Sequence, residues 1–76
     1  MDEHNLVRMA NRIGDFFAAF PDRDEALAGV ADHVHKFWEP RMRRQILACL
    51  GLPPGQGLSP LVRDALTRHR AELTPA

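Results

Sequence analysis

Four histidines, a single cysteine and ten carboxylates are the side chains of this chain that could do acid–base, nucleophilic or metal chemistry. His33 and His35 invite a metal reading, but two positions apart on a helix they diverge by about 160°. A chelating pair needs a spacing of three or four. His4 and His69 join them only through a tertiary accident, and one cysteine makes no zinc pattern. His33 and His35 therefore read as imidazoles on the flanks of a helix, with His35 one turn before Glu39 and able to pair with it. His69 reads as a partly buried core histidine. Cys49 as a nucleophile needs an adjacent base and a lowered pKa. It falls instead at a core position in the last turn of a helix, where the dipole opposes a thiolate. The carboxylates form no acid/base pair, and Gly51 to Gly57 lacks the lysine and the preceding strand of a phosphate loop. No metal or cofactor ligand set is found, and catalysis is not expected.

The densest segment is His33-Val34-His35-Lys36-Phe37-Trp38-Glu39-Pro40-Arg41-Met42-Arg43-Arg44, which holds the one tryptophan and four of the ten Lys and Arg residues. Pro40 disfavours the α conformation at Glu39 and supplies no amide donor, so a helix ends near Trp38. Proline also suits the first turn of a helix, so a second one starts at once. The expected product is a tight corner with two aromatic rings on one side and arginines on the other, the residue types that anchor protein interfaces. Lys36, Phe37, Trp38, Arg41, Arg43 and Arg44 are therefore the candidate partner-binding residues. Two readings stand beside each other. The cations form either a solvated helix face or a binding patch, and Phe37 and Trp38 are either ordinary core or docking anchors. A helix-turn-helix reading is disfavoured because the Glu39-Pro40 connection is too abrupt for the usual turn.

Seventy-six residues suffice for one domain spanning 1–76, and a chain of this size buries only about 60% of its unfolded surface. One cysteine excludes an internal disulfide and fits a reducing compartment. The opening Met1-Asp2-Glu3-His4 is acidic, no apolar run is long enough to span a membrane, and a cytoplasmic location is expected. Net charge is zero but unevenly spread. Residues 1–32 carry seven carboxylates against three arginines, and residues 33–76 carry seven cations against three carboxylates. The halves can attract each other or present different faces to partners. Such a balance does not suit a general nucleic-acid binder.

These segments are positioned by four expected helices and no strand, an all-α fold of irregular bundle type. The first runs from about Glu3 to Ala19 behind an Asp2 cap, with Leu6, Met9, Ala10, Ile13, Phe16, Phe17 and Phe20 on one stripe. Val7, Gly14 and Ala18 widen that stripe. Gly14 is either a point of close backbone approach or simply tolerated at a cost of about 1 kcal/mol. Asp22 with Glu25 has the spacing of a capping box, and Ala26, Leu27, Val30, Ala31, Val34, Phe37 and Trp38 line one side of the second helix. In the third, Met42, Ile46, Cys49 and Leu50 face inward, Arg41 and Arg44 outward, and Arg43 flanks the apolar side. Gly51 is the expected C-terminal cap. Residues 52–57 read as a loop. Ser59-Pro60 starts the fourth helix, whose inward side is Leu61, Val62, Ala65, Leu66 and Leu73. Thr74-Pro75-Ala76 is expected to fray.

Three blocks carry a family resemblance: Met9-Ala10-Asn11-Arg12-Ile13-Gly14-Asp15-Phe16-Phe17, then Gly29 to Arg43, then Gly57-Leu58-Ser59-Pro60-Leu61-Val62-Arg63-Asp64-Ala65-Leu66. In this order they resemble the small delta subunit of bacterial NAD-dependent formate dehydrogenases, and Lys36-Phe37-Trp38-Glu39-Pro40-Arg41-Met42 is the most specific stretch. The resemblance implies a non-catalytic accessory role. In that family formate oxidation belongs to a large alpha subunit with a molybdenum bis-pterin cofactor and iron–sulfur clusters, while other subunits carry the flavin and reduce NAD. The partner so implied is the large alpha subunit and its complex, with no nucleic acid and no membrane. The role so implied is assembly or stability of the complex. A transient chaperone for molybdenum cofactor insertion is the alternative, and a small nucleic-acid-binding regulator a distant one. The apolar faces also allow self-association when the partner is absent.

Overall fold

In the computed structural model, residues 2–51 and 57–75 are described. They form five helices: α1 (Glu3–Phe17), α2 (Arg23–Phe37), α3 (Pro40–Cys49), α4 (Pro60–Arg68) and α5 (Arg70–Leu73). No strand occurs among the described residues, and the all-α expectation holds. The expected loop lies outside the described residues except for Gly57.

Each start follows from a cap. The Asp2 carboxylate accepts from His4 N and the Ser59 hydroxyl from Val62 N, which satisfies amides that a helix cannot pair internally. Asp22 accepts from Asp24 N rather than Glu25 N, an N-cap bond in place of the expected capping box. The expected fourth helix is broken at His69, whose backbone (φ −103°, ψ 20°) separates α4 from α5. Thr74 does not fray: its amide and hydroxyl both donate to Arg70 O, at 2.9 and 2.7 Å. Gly51 is no left-handed cap either. Its N–H reaches back to Ala48 O at 3.2 Å, and the positive φ belongs to Gly57, at 84°.

α2 packs on α1 and α4, α3 closes on α1, and α5 on α2 and α4. The main core gathers Leu6, Val7 and Ala10 of α1, Ala31, Val34 and Trp38 from the α2 end, Ile46, Leu47 and Cys49 of α3, and Leu58, Val62, Leu66 and Leu73. A smaller cluster of Leu27, Val30 and Ala65 is covered by Ile13, Phe17 and Leu61. Leu47, unassigned by periodicity, is buried.

The buried stripe of α1 is not the expected one. Leu6, Val7, Ala10 and Gly14 are its buried residues, a line rotated by roughly 70° from the expected stripe, taking 100° per residue. The cause is the approach of α4. A Cβ on Gly14 would lie 2.5 Å from Val62 Cγ2, so the glycine marks a close helix crossing and decides between its two readings. Turning Gly14 inward turns Phe16 outward, to 67% exposure.

Beside this crossing, Asn11 holds the entry to α4 from both sides. Its Nδ2 donates to Gly57 O at 3.1 Å, and its Oδ1 accepts from Ser59 N at 2.9 Å. Gly57 takes the left-handed conformation that L side chains avoid. Two ion pairs then tie the start of α2 to α4: Arg23–Asp64 at 2.5 Å and Arg68–Asp24 at 2.6 Å. Both are solvent-exposed and contribute about 0.2–1 kcal/mol each.

Candidate partner-binding site

The chain turns between α2 and α3 in two residues. Trp38 leaves the helical region (φ −93°, ψ 136°) while its N–H still bonds Val34 O. Glu39 is extended (φ −65°, ψ 154°), and Pro40 opens α3 at its first position. The proline ring forbids a helical Glu39 and needs no amide partner, so the corner is fixed by local sterics.

The two aromatic residues part company here. Trp38 is 6% exposed and belongs to the main core, while Phe37 is 71% exposed. Phe37 continues the apolar stripe of α2 in sequence, but it is the last helical residue and no neighbouring element covers it. Its ring lies against His33, centroids 4.7 Å apart, an (i, i+4) pairing that the spacing makes available. Trp38 thus pins the corner from below, and Phe37 presents the apolar surface above.

Among the cations, Lys36 pairs with Asp32 at 3.1 Å, both ends well exposed. Arg41 and Arg44 are exposed and make no ion pair among the described residues. Arg43 is half-buried, with its Nε enclosed and without a hydrogen-bond partner. Glu39 provides no side-chain cap to α3, so the positive end of that helix adds to the arginines. The six candidate residues therefore resolve into one exposed ring, one buried anchor and four cations, of which only Lys36 has an ion pair among the described residues.

Cys49 is buried, and its thiol donates to Gln45 O at 3.4 Å. Burial pushes its pKa up, and the charge and hydrogen bonding of Glu3 push the same way, the opposite of what a nucleophile needs. Among the described residues no three of His, Cys, Asp and Glu gather so as to hold a metal ion. His35 and His69, distant in sequence, line one open cleft of about 700 Å³ between α2 and α5 with Asp32 and Glu72. There His69 Nδ1 sits 3.1 Å from Glu72 Oε1, and no His35–Glu39 pair forms. No helix among the described residues is long and apolar enough to cross a membrane.

Sequence reasoning missed Asn11 and misplaced Phe16. Asn11 gives no signal in periodicity, because its partners lie 46 and 48 residues away. Phe16 could have been found by centring the helical wheel on Val7 and Gly14.

No curated protein and no solved structure matches the chain. A family model does: NADH-dependent formate dehydrogenase delta subunit FdsD, over residues 5–66. The match takes in the Asn11–Gly57–Ser59 clasp, the Gly14–Val62 crossing and the whole corner. On this match the chain belongs to the delta-subunit family of NADH-dependent formate dehydrogenases.

Proposed function

We propose that this chain is a non-catalytic accessory subunit that supports assembly or stability of a cytoplasmic formate dehydrogenase complex by docking through the α2–α3 corner onto the large subunit. Family membership supplies the complex. The observation that carries the docking is Phe37, a large apolar ring 71% exposed on a corner made rigid by Pro40 and buried Trp38. Ordered aromatic surface costs little further entropy on binding. Arg41 and Arg44 flank it without internal partners, and Lys36 and Arg43 complete a cationic rim. Arginine forks meeting carboxylates make the shorter, charge-assisted hydrogen bonds.

The test is an Arg41→Ala, Arg44→Ala variant, with Phe37→Ala as a second change, co-expressed with the large subunit. Truncating anchors of this type costs about 2 kcal/mol or more each, so recovery of the complex should fall more than ten-fold while the variant itself stays folded. A folded variant that co-purifies in full yield contradicts docking at this corner.

A further inference from the structure

We propose that the outer face of α1, formed by Arg8, Met9, Arg12 and Phe16 and continued past the helix end by Phe20, is a second docking surface whose occupant is an acidic, apolar segment of a protein in the same assembly. It rests on the docking reading above but uses a different helix and different residues.

Phe16 and Phe20 are 67% and 38% exposed, and neither is loose. Phe16, Phe17 and Phe20 form a closed aromatic triad with centroids 5.0, 5.1 and 6.1 Å apart. Phe17 is seated on Gly29 of α2, where a Cβ would collide with its ring. The triad is thus mounted on the fold from beneath, and Phe16 stands outward, edge-on to Phe17 at 90°. Edge-to-face geometry is the favoured aromatic arrangement. Such a ring binds without first losing much rotamer freedom.

The charges beside the rings choose the partner. Arg8, Arg12 and Phe16 are spaced at four residues and so follow one line along α1. Arg23, Arg68 and Lys36 each pair with a carboxylate of this chain, whereas Arg8 and Arg12 make no ion pair among the described residues. Asp15, three residues after Arg12 and a helix neighbour in reach of it, takes part in none of the ion pairs among the described residues. A small groove of about 80 Å³ lined by Asn5, Arg8, Met9 and Arg12 continues the face. A purely apolar occupant would strip water from two guanidinium groups without compensation. An acidic one supplies their hydrogen-bond acceptors while covering Met9, Phe16 and Phe20. A second copy of this chain docking the same face is disfavoured, because two-fold pairing gathers the Arg8 and Arg12 side chains of both copies into one interface.

The experiment uses the full chain carrying Phe16→Ser or Arg12→Glu, beside the Arg41→Ala, Arg44→Ala corner variant. Each is co-expressed with the formate dehydrogenase subunits, and complex recovery on the tagged chain is compared at low and high salt. Both α1 variants alter exposed side chains and should melt within a few degrees of the wild type. Recovery should fall at least ten-fold in each, and wild-type recovery should weaken as salt rises. Unchanged recovery in both α1 variants with loss in the corner variant overturns this surface and leaves the corner reading standing. Unchanged recovery in all three overturns both. Sedimentation of the isolated chain supplies the remaining arm: a wild-type dimer that Phe16→Ser converts to monomer assigns the face to a second copy and overturns the acidic partner.

Discussion

Replacing Gly14 by alanine tests the helix crossing on which the exposed surfaces depend. In an isolated helix the change favours folding by about 1 kcal/mol, because glycine is a poor helix former. Here the new methyl would sit 2.5 Å from Val62 Cγ2, roughly 1 Å inside ordinary carbon–carbon contact. Val62 is fully buried and β-branched, so it cannot swing its methyl aside without leaving its rotamer. Separating α1 from α4 by that distance also strains the Asn11 hydrogen bonds to Gly57 and Ser59. Overpacking of this kind costs about 1–3 kcal/mol, and against the propensity gain a net loss of up to about 2 kcal/mol is expected. For a chain of this size each kcal/mol lost lowers Tm by about 4–8 °C. Urea and thermal unfolding followed by the emission of the sole tryptophan measure it directly. A double-mutant cycle isolates the cause. Val62→Ala alone should cost about 2 kcal/mol from lost burial and the cavity it leaves. Combined with Gly14→Ala it should cost at least about 1 kcal/mol less than the sum. A Gly14→Ala protein that is more stable than wild type, or a strictly additive cycle, would refute the crossing.

The two aromatics of the corner should separate cleanly. Trp38→Ala is expected to cost about 3–5 kcal/mol, and Phe37→Ala less than about 1 kcal/mol, with complex recovery moving the opposite way; equal stability losses in denaturant titrations would contradict their assigned burial. Asn11→Ala removes both hydrogen bonds at the entry to α4 and should destabilise by about 1–3 kcal/mol, seen as a lower urea midpoint with an unchanged slope. Alkaline pH should weaken the fold through Cys49. Its folded pKa is raised by burial first and by Glu3 next, so the native state keeps a proton that the unfolded chain releases above about pH 8.5. Stability is then complete below that pH and declines above it, by at most about 1.4 kcal/mol per pH unit, until the native pKa is reached. The chain has no tyrosine, and Lys36 is its single lysine, so a Cys49→Ala variant should show a visibly flatter profile between pH 8 and 10.

The local signals in the sequence proved the most readable. Pro40 and Pro60, the Asp2 and Ser59 caps and the apolar periodicity placed four helices close to where they lie, because each depends on a few neighbouring residues. The break at His69 escaped notice, since nothing at that position forbids a helix; it lets α5 carry Leu73 into the core. What periodicity cannot supply is which part of a wide apolar stripe meets a neighbour. For α1 that choice was made by α4, through Gly14 and Val62, and it exposed Phe16. For α2 it was made by the end of the helix, which left Phe37 uncovered while Trp38 went inside. Asn11 depended on contacts across more than forty residues and had no local mark. The corner segment was legible as a cluster, yet its division into anchor, ring and free cations came only from burial.

Co-expression of the tagged chain with the formate dehydrogenase subunits, followed by size exclusion with subunit and molybdenum content quantified, tests the accessory role most directly. The expected result is co-elution at a fixed ratio with an active, metal-loaded enzyme, reduced more than ten-fold in the Arg41→Ala, Arg44→Ala variant. Absence from the mature enzyme, with lowered molybdenum content when the chain is omitted, would replace a resident subunit by a transient insertion factor. No association and no effect of omission would contradict the role altogether.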